Sequence, residues 1–224
     1  MDSRDATLQA LTPTVMVPRF GAFEPLSQPG HRFLAASNGE YLELRRAWIY
    51  TRVQIAQGSV VAKPYGAVTE CIDWLCPPIP LFLFERFARV AREHCPLEAA
   101  GWITWNQHSG QFAFREVDVR QASASYIHFD RPRLEEGEHL VVDLHSHGLG
   151  KAFFSVTDNL DDRGEVKLSI VFGHCQERTL SAVHRLCLLG KFVPMQLASA
   201  TDNGLTFKVA SLERKRYAMD DVLA

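Results

Sequence analysis

The sequence predicts an α/β domain preceded by a smaller β-rich segment, on three observations. Apolar residues recur at helical spacing from Leu83 to Ala91, several apolar runs of strand length follow, and a hairpin signal, Ser37-Asn38-Gly39, lies well upstream. Pro77, Pro78 and Pro80 stiffen the chain between the two parts. The expected partition is therefore 1–76, 77–210 and a C-terminal tail 211–224. With 224 residues, 46% apolar and 22% charged, the chain can bury a sizeable core.

Taken in order, residues 1–30 carry Pro13, Pro18, Pro25 and Pro29 and read as extended or irregular chain laid across a neighbouring sheet. Arg32–Ala36 and Glu40–Leu44 form a hairpin, because Asn38-Gly39 supplies the positive φ angles of a tight turn. Trp48–Ile55 and Ser59–Ala62 continue the β-character. Pro80 suits a first helical position. In the helix that follows, Leu83, Phe84, Phe87, Ala88, Val90 and Ala91 form one face, with Glu85, Arg86, Arg89, Arg92 and Glu93 opposite. Pro96 ends it, and strands are expected over Ala100–Trp105 and Gln111–Val119, joined by a turn at 106–110. Residues 120–138 are polar and broken by Pro132 and Gly137. Strands are expected again at Leu140–Leu144, Val166–Phe172 and Leu205–Val209, with Thr179–Leu189 a strand or a helix. One helical turn or two should follow Asp158.

The stretch LVVDLHSHGLGKAFFSVTD, 140–158, names a chemistry. His145 and His147 are two apart and share one face of a strand, with Ser146 turned away. Ser155 and Asp158 are three apart and share one face of a helical turn. Two imidazoles and a carboxylate are the donor set of a catalytic zinc site with one open position. Asp143, on the same strand face, is placed to orient a histidine or to lie solvated at the strand end. Singly, each residue has a structural explanation. A strand histidine is more often a hydrogen-bonded core residue, and Ser155-Val156-Thr157-Asp158 reads as a helix start with Ser155 as N-cap. Histidine is scarce, nine in the chain, so the paired arrangement weighs toward the metal.

The order His-Ser-His, seven residues, Ser, two residues, Asp closely resembles the signature of the JAMM (MPN-plus, Prok-JAB) zinc metallopeptidases. The resemblance covers about Pro80 to Ala200. It implies a JAB/MPN-like, cytidine-deaminase-like fold: a mixed curved sheet with flanking helices. It implies that His145, His147 and Asp158 bind Zn2+, that Ser155 helps hold the oxyanion, and that Glu98 activates the zinc-bound water as general base. It also implies a substrate: an amide at the C-terminal tail of a ubiquitin-like protein, as an isopeptide or a peptide extension. Many members carry an insertion near the cleft at 120–138, which makes Tyr126, His128 and Phe129 candidate substrate contacts; a solvated connection is the competing reading. Where many members have proline after the second histidine, this chain has Gly148, which puts the loop geometry in question. The layout, one such domain behind an unfamiliar β-rich segment, resembles members in plasmid-associated PRTRC gene clusters, with the N-terminal segment recruiting a substrate or partner.

A net charge of −2 offers no basic field for phosphate backbones, so nucleic acid is not an expected direct partner. No apolar run is long enough to cross a bilayer and no signal-peptide core opens the chain, so no membrane partner and a cytoplasmic location are expected. Five cysteines, without a Cys-x-x-Cys pair, argue against a disulfide framework. Cys71 and Cys76 read as buried small hydrophobes rather than a redox pair. Two other functions compete: a non-catalytic MPN-fold scaffold in a ubiquitin-like conjugation system, and a cysteine hydrolase using His174 and Cys175 or His94 and Cys95. Neighbouring residues on a strand point to opposite faces, which disfavours the last. The oligomeric state is left open.

Overall fold

The computed structural model describes residues 2–58, 61–122, 127–201 and 204–210. Strands β1 (Thr14–Met16), β2 (Gly30–Ala36), β3 (Gly39–Arg46), β4 (Ile49–Gln57) and β5 (Cys71–Trp74) form a five-stranded sheet in sequence order. Only β1 runs parallel to its neighbour. The β2–β3 turn needs glycine at one position: Gly39 has φ +149°, and a Cβ there would come 2.7 Å from the Ala56 carbonyl oxygen. Asn38 is not in the left-handed region. Its side chain instead clips the following segment, donating to the Val68 carbonyl (2.7 Å) and accepting from the Val68 N–H (3.3 Å).

The chain then enters α2 (Leu81–His94), whose Leu83, Phe84, Phe87 and Ala91 are buried. A seven-stranded sheet follows, in the order β14 (Gly204–Val209), β13 (Lys191–Thr201), β12 (Ser181–Leu188), β11 (Val166–Gly173), β10 (Glu138–Ser146), β6 (Ala100–Asn106), β7 (Phe112–Glu116). Helix α2 lies against β6 and β10, and its Phe87 meets the rings of Phe172 on β11 (5.4 Å) and Phe114 on β7 (6.4 Å). Within this sheet only β10 and β11 pair in parallel, and short helix α3 (Val156–Asp161) lies in the crossover between them. This is the mixed α/β architecture expected.

One apolar core runs through both sheets. Leu42, Leu44, Trp48 and Ile49 of the first share a buried cluster with Leu83, Phe84 and Phe207 beyond the proline segment. Trp74 stacks on Trp48, and its Nε1 donates to the Phe207 carbonyl (3.1 Å). A smaller cluster of Val17, Leu34, Ala36, Tyr41 and Val68 belongs to the first sheet alone.

Several expectations are corrected. Residues 1–30 are not wholly irregular: α1 spans Ser3–Leu11, capped by the Asp2 side chain, and β1 joins the sheet edge. No residue of α1 is buried, so it gives no amphipathic signal. Val61 and Ala62 are not strand, and the next strand is β5, overlooked because its four residues barely alternate. Pro80 is the N-cap of α2 rather than its first residue. The strand expected over 111–119 breaks at Val117, and 120–138 contains a ribbon, β8 (Asp118–Ala122) with β9 (Ile127–Asp130). The ambiguity over 179–189 resolves as strand at Ser181–Leu188, and β13 lies where no element was expected, its apolar alternation interrupted by Pro194. The tail 211–224 lies outside the described residues. Among the described residues, no helix is long and apolar enough to cross a membrane.

Candidate metal centre

His145 sits near the C-terminal end of β10, in register with Ala100 of β6 and Val171 of β11. Strand β10 is interior to the sheet, so both backbone edges are engaged and the side chain is firmly aimed. His147 lies one residue past the strand. Its N–H still donates to the Phe172 carbonyl (2.8 Å), which continues the ladder and keeps the two imidazoles on one face, ring centroids 5.3 Å apart. The Phe153 ring meets the His147 ring edge-on at 4.5 Å. In open α/β sheets, ligands gather beyond the carboxyl ends of parallel strands, and this site lies there.

The loop after His147 turns at Gly148, φ +51°, where a Cβ would come 2.3 Å from the Pro96 carbonyl oxygen. Neither an L side chain nor a proline ring, fixed at negative φ, fits there. The departure at Gly148 thus gives this loop a tight approach to the segment carrying Glu98. A second fastener works from the other side: Ser146 N–H donates to the Ala99 carbonyl (2.9 Å), and Ala99 N–H donates to Ser146 Oγ (3.0 Å). The residue between the histidines is therefore pinned to the residue after Glu98. The sequence reading turned Ser146 away from the site and assigned it nothing; its signal was its place in His-Ser-His.

Ser155 caps α3. Its Oγ accepts from Asp158 N–H (3.1 Å), and Asp158 Oδ2 accepts from Ser155 N–H (2.6 Å), a reciprocal capping box. The helix-start reading and the ligand reading are thus compatible. The cap fixes the carboxylate so that both oxygens stand near the histidines, with the uncapped Asp158 Oδ1 3.3 Å from His145 Nε2 and the capped Oδ2 3.9 Å from His147 Nε2. One ligand atom from each of His145, His147 and Asp158 falls within 4.8 Å of the others.

The electrostatics are those of a group of charges held out of water. Burial raises the Glu98 pKa to about 7; the His145 charge opposes this and the Asp158 charge adds to it. Burial also works against ionised Asp158, but the His145 ring and the Ser155 bonds outweigh it and hold the carboxyl well below its usual range. Burial disfavours a charged His145, yet Asp158 pulls its pKa up overall. His147 is lowered by burial and by His145.

Asp143 makes a different contact from the one expected: its Oδ2 accepts from Lys167 Nζ (2.5 Å) rather than from an imidazole. His128 and Phe129 belong to β9, in register with Gln121 and Val119, and Tyr126 lies outside the described residues. The cysteine alternatives find no chemistry. All five thiols are free, burial pushes the Cys175 thiol up, away from the nucleophilic thiolate, and His94 Nδ1 is engaged with the Val90 carbonyl (2.9 Å). Burial likewise pushes Cys76 up to about 12.

Comparison with known families matches residues 2–75 to a domain of unknown function, DUF2016, and residues 81–185 to prokaryotic homologs of the JAB domain. No match was found among curated proteins. The second match begins at the first residue of α2 and takes in Glu98, both histidines, Ser155 and Asp158. Residues 81–185 are therefore similar to the prokaryotic JAB-domain homologs, consistent with a protein of JAMM/MPN type.

Proposed function

We propose that the chain is a zinc-dependent peptidase or isopeptidase that hydrolyses an amide bond at the C-terminal tail of a ubiquitin-like protein. The observation that carries this reading is a buried glutamate, poised near neutral pH, beside two imidazoles and a carboxylate gathered on one point. The cytidine-deaminase-like arrangement of the sheet is part of the same proposal.

The donor set fits a zinc ion. His145 Nε2 is buried and makes no well-aligned hydrogen bond, although Asp158 Oδ1 stands 3.3 Å away. Without an ion, Asp158 favours a protonated His145, and a bound cation would take the place of that proton. The spacing also suits the metal, since ligands at about 2.0–2.1 Å in a tetrahedron lie roughly 3.3 Å apart. His145, His147 and Asp158 would hold the ion. When bound, it supplies Lewis acidity toward water and an amide carbonyl.

The chain's own groups supply the rest. Glu98, with a pKa near 7, takes a proton from the attacking water and returns it to the leaving amine; at neutral pH it can hold either state. Ser155 Oγ accepts from Asp158 N–H, and its O–H, which also reaches the Asp158 carboxylate, would turn to donate to the developing oxyanion. Asp158 stays ionised throughout, because its carboxyl is held far below neutrality. A scaffold would not need a buried carboxylate near its titration point beside two imidazoles and an aspartate gathered on one point. The ubiquitin-like substrate, free or conjugated, rests on the family resemblance.

The test uses the full chain. Wild type should carry about one zinc and cleave a ubiquitin-like protein extended at its C-terminus, and His145→Ala should lose both properties. A zinc-loaded wild type inert toward every such fusion and conjugate would favour the scaffold, and full zinc occupancy in His145→Ala would refute the ligand assignment.

A further inference from the structure

Helix α3 carries Asp158, yet none of its six residues is buried, and its two large apolar side chains, Val156 and Leu160, are 75% and 65% exposed. Apolar packing does not hold it in place. A helix this short is also not stable by its own hydrogen bonds. Something else must fix the aspartate to the fraction of an ångström that a ligand set requires.

That contact is Arg185 of β12, itself 5% exposed. Its Nη2 donates to the Asp158 carbonyl oxygen (3.0 Å) and to Asp162 Oδ2 (2.6 Å), its Nε donates to the same carboxylate oxygen (3.1 Å), and its Nη1 donates to Asn159 Oδ1. The guanidinium lies between the rings of Phe154 (3.8 Å) and Phe192 (4.1 Å). Phe154 immediately precedes the capping residue Ser155. Asp162, the C-cap of α3, is tied on its other oxygen to the buried Lys167 of β11 (2.8 Å). One planar cation therefore grips α3 within its first turn and at its end, and clamps the loop that leads into it.

We propose that Arg185 is a positioning residue for the metal site: through α3 it sets where the Asp158 carboxylate stands relative to His145 and His147. This rests on the zinc reading above. The role calls for arginine. Its donors reach a carbonyl, an amide oxygen and a carboxylate in one plane while both faces stack on aromatic rings, whereas a lysine ammonium is a point charge with no face to stack.

The experiment compares full-length wild type with Arg185→Lys and Phe154→Leu. Thermal unfolding checks the fold, chelator competition measures zinc affinity, and the visible absorption of the cobalt-substituted protein reports ligand geometry. Arg185→Lys should bind zinc about ten- to a hundred-fold more weakly, as loss of supporting contacts around a metal typically does, with an altered cobalt spectrum. Phe154→Leu, which keeps every hydrogen bond, should weaken binding by less, in the same direction. Zinc affinity within about twofold of wild type in both variants, with an unchanged cobalt spectrum, would overturn the proposal. If Arg185→Lys does not fold, Phe154→Leu decides by the same criterion. A wild type that binds neither metal would overturn the zinc reading, and this inference with it; a wild type that binds, beside variants that bind equally, overturns this inference alone.

Discussion

Each large sheet buries a glutamate, and the surroundings of both are opposite to those of Glu98, buried just before β6. Glu43, in the middle of the first sheet, has no exposed surface and accepts from Arg32 Nε (2.5 Å), Tyr50 Oη (2.7 Å) and Leu26 N–H (2.9 Å). Glu138, at the start of β10, is satisfied in the same way by Thr104, Arg115 and the Glu135 N–H, and these partners outweigh burial to bring its pKa to about 2. Glu98, 6% exposed, accepts no hydrogen bond among the described residues and faces a second carboxylate, Asp158. An unpaired buried acid costs stability, and a fold that satisfies two such acids and leaves the third bare has placed the cost where the proposed mechanism exchanges a proton. The difference separates structural charge from working charge more sharply than burial alone.

The contrast can be broken by substituting each glutamate in turn. Glu98→Gln should keep zinc bound and lower the rate of tail cleavage by about 10²- to 10⁴-fold, the usual weight of a general base. If the metal left together with the activity, Glu98 would be a ligand or a support and the contrast would lose its functional half. Glu43→Ala should do the reverse. It strands the Arg32 guanidinium and the Tyr50 hydroxyl, so denaturant unfolding should show a loss of about 2–4 kcal/mol, with zinc affinity unchanged. A loss below about 1 kcal/mol would mean that the network is not holding the sheet together.

Much of the α/β layout and of the candidate ligand set was legible because it is written in local pattern. The spacing of His145, His147, Ser155 and Asp158 is confined to one stretch, and α2 announces itself by its apolar face. What was missed depends on partners far away in the chain. Arg185 and Lys167 are single charges within apolar strands, and nothing local says that both converge on Asp162. Asp143 lies on the histidine face as expected, but Lys167, 24 positions later, takes its carboxylate. Strand β13 escaped because Pro194 reads as a breaker, and α1 because a helix that buries nothing has no periodicity to read.

A smaller effect sharpens the comparison without any assay of function. In the metal-free protein the Glu98 pKa is raised to about 7 from an ordinary 4.5, so between those values the folded state holds a proton that the unfolded state has lost. Glu98 therefore carries no penalty below about pH 4.5; the penalty grows as pH rises toward 7 and is constant above. Glu98→Gln removes the titration and replaces the charge with a neutral amide. The stability of Glu98→Gln minus that of wild type, measured by urea unfolding in the presence of chelator, should rise between about pH 4.5 and 7 by on the order of 2 kcal/mol and then level off. The other site groups titrate in both proteins, so their contributions largely cancel in the difference: Asp158, held low, adds stability that is lost toward acid, and His145, held high, adds stability that is lost toward alkali. Parallel pH curves would mean that Glu98 is solvated or paired in solution, and that the bare carboxylate on which the catalytic reading depends does not exist.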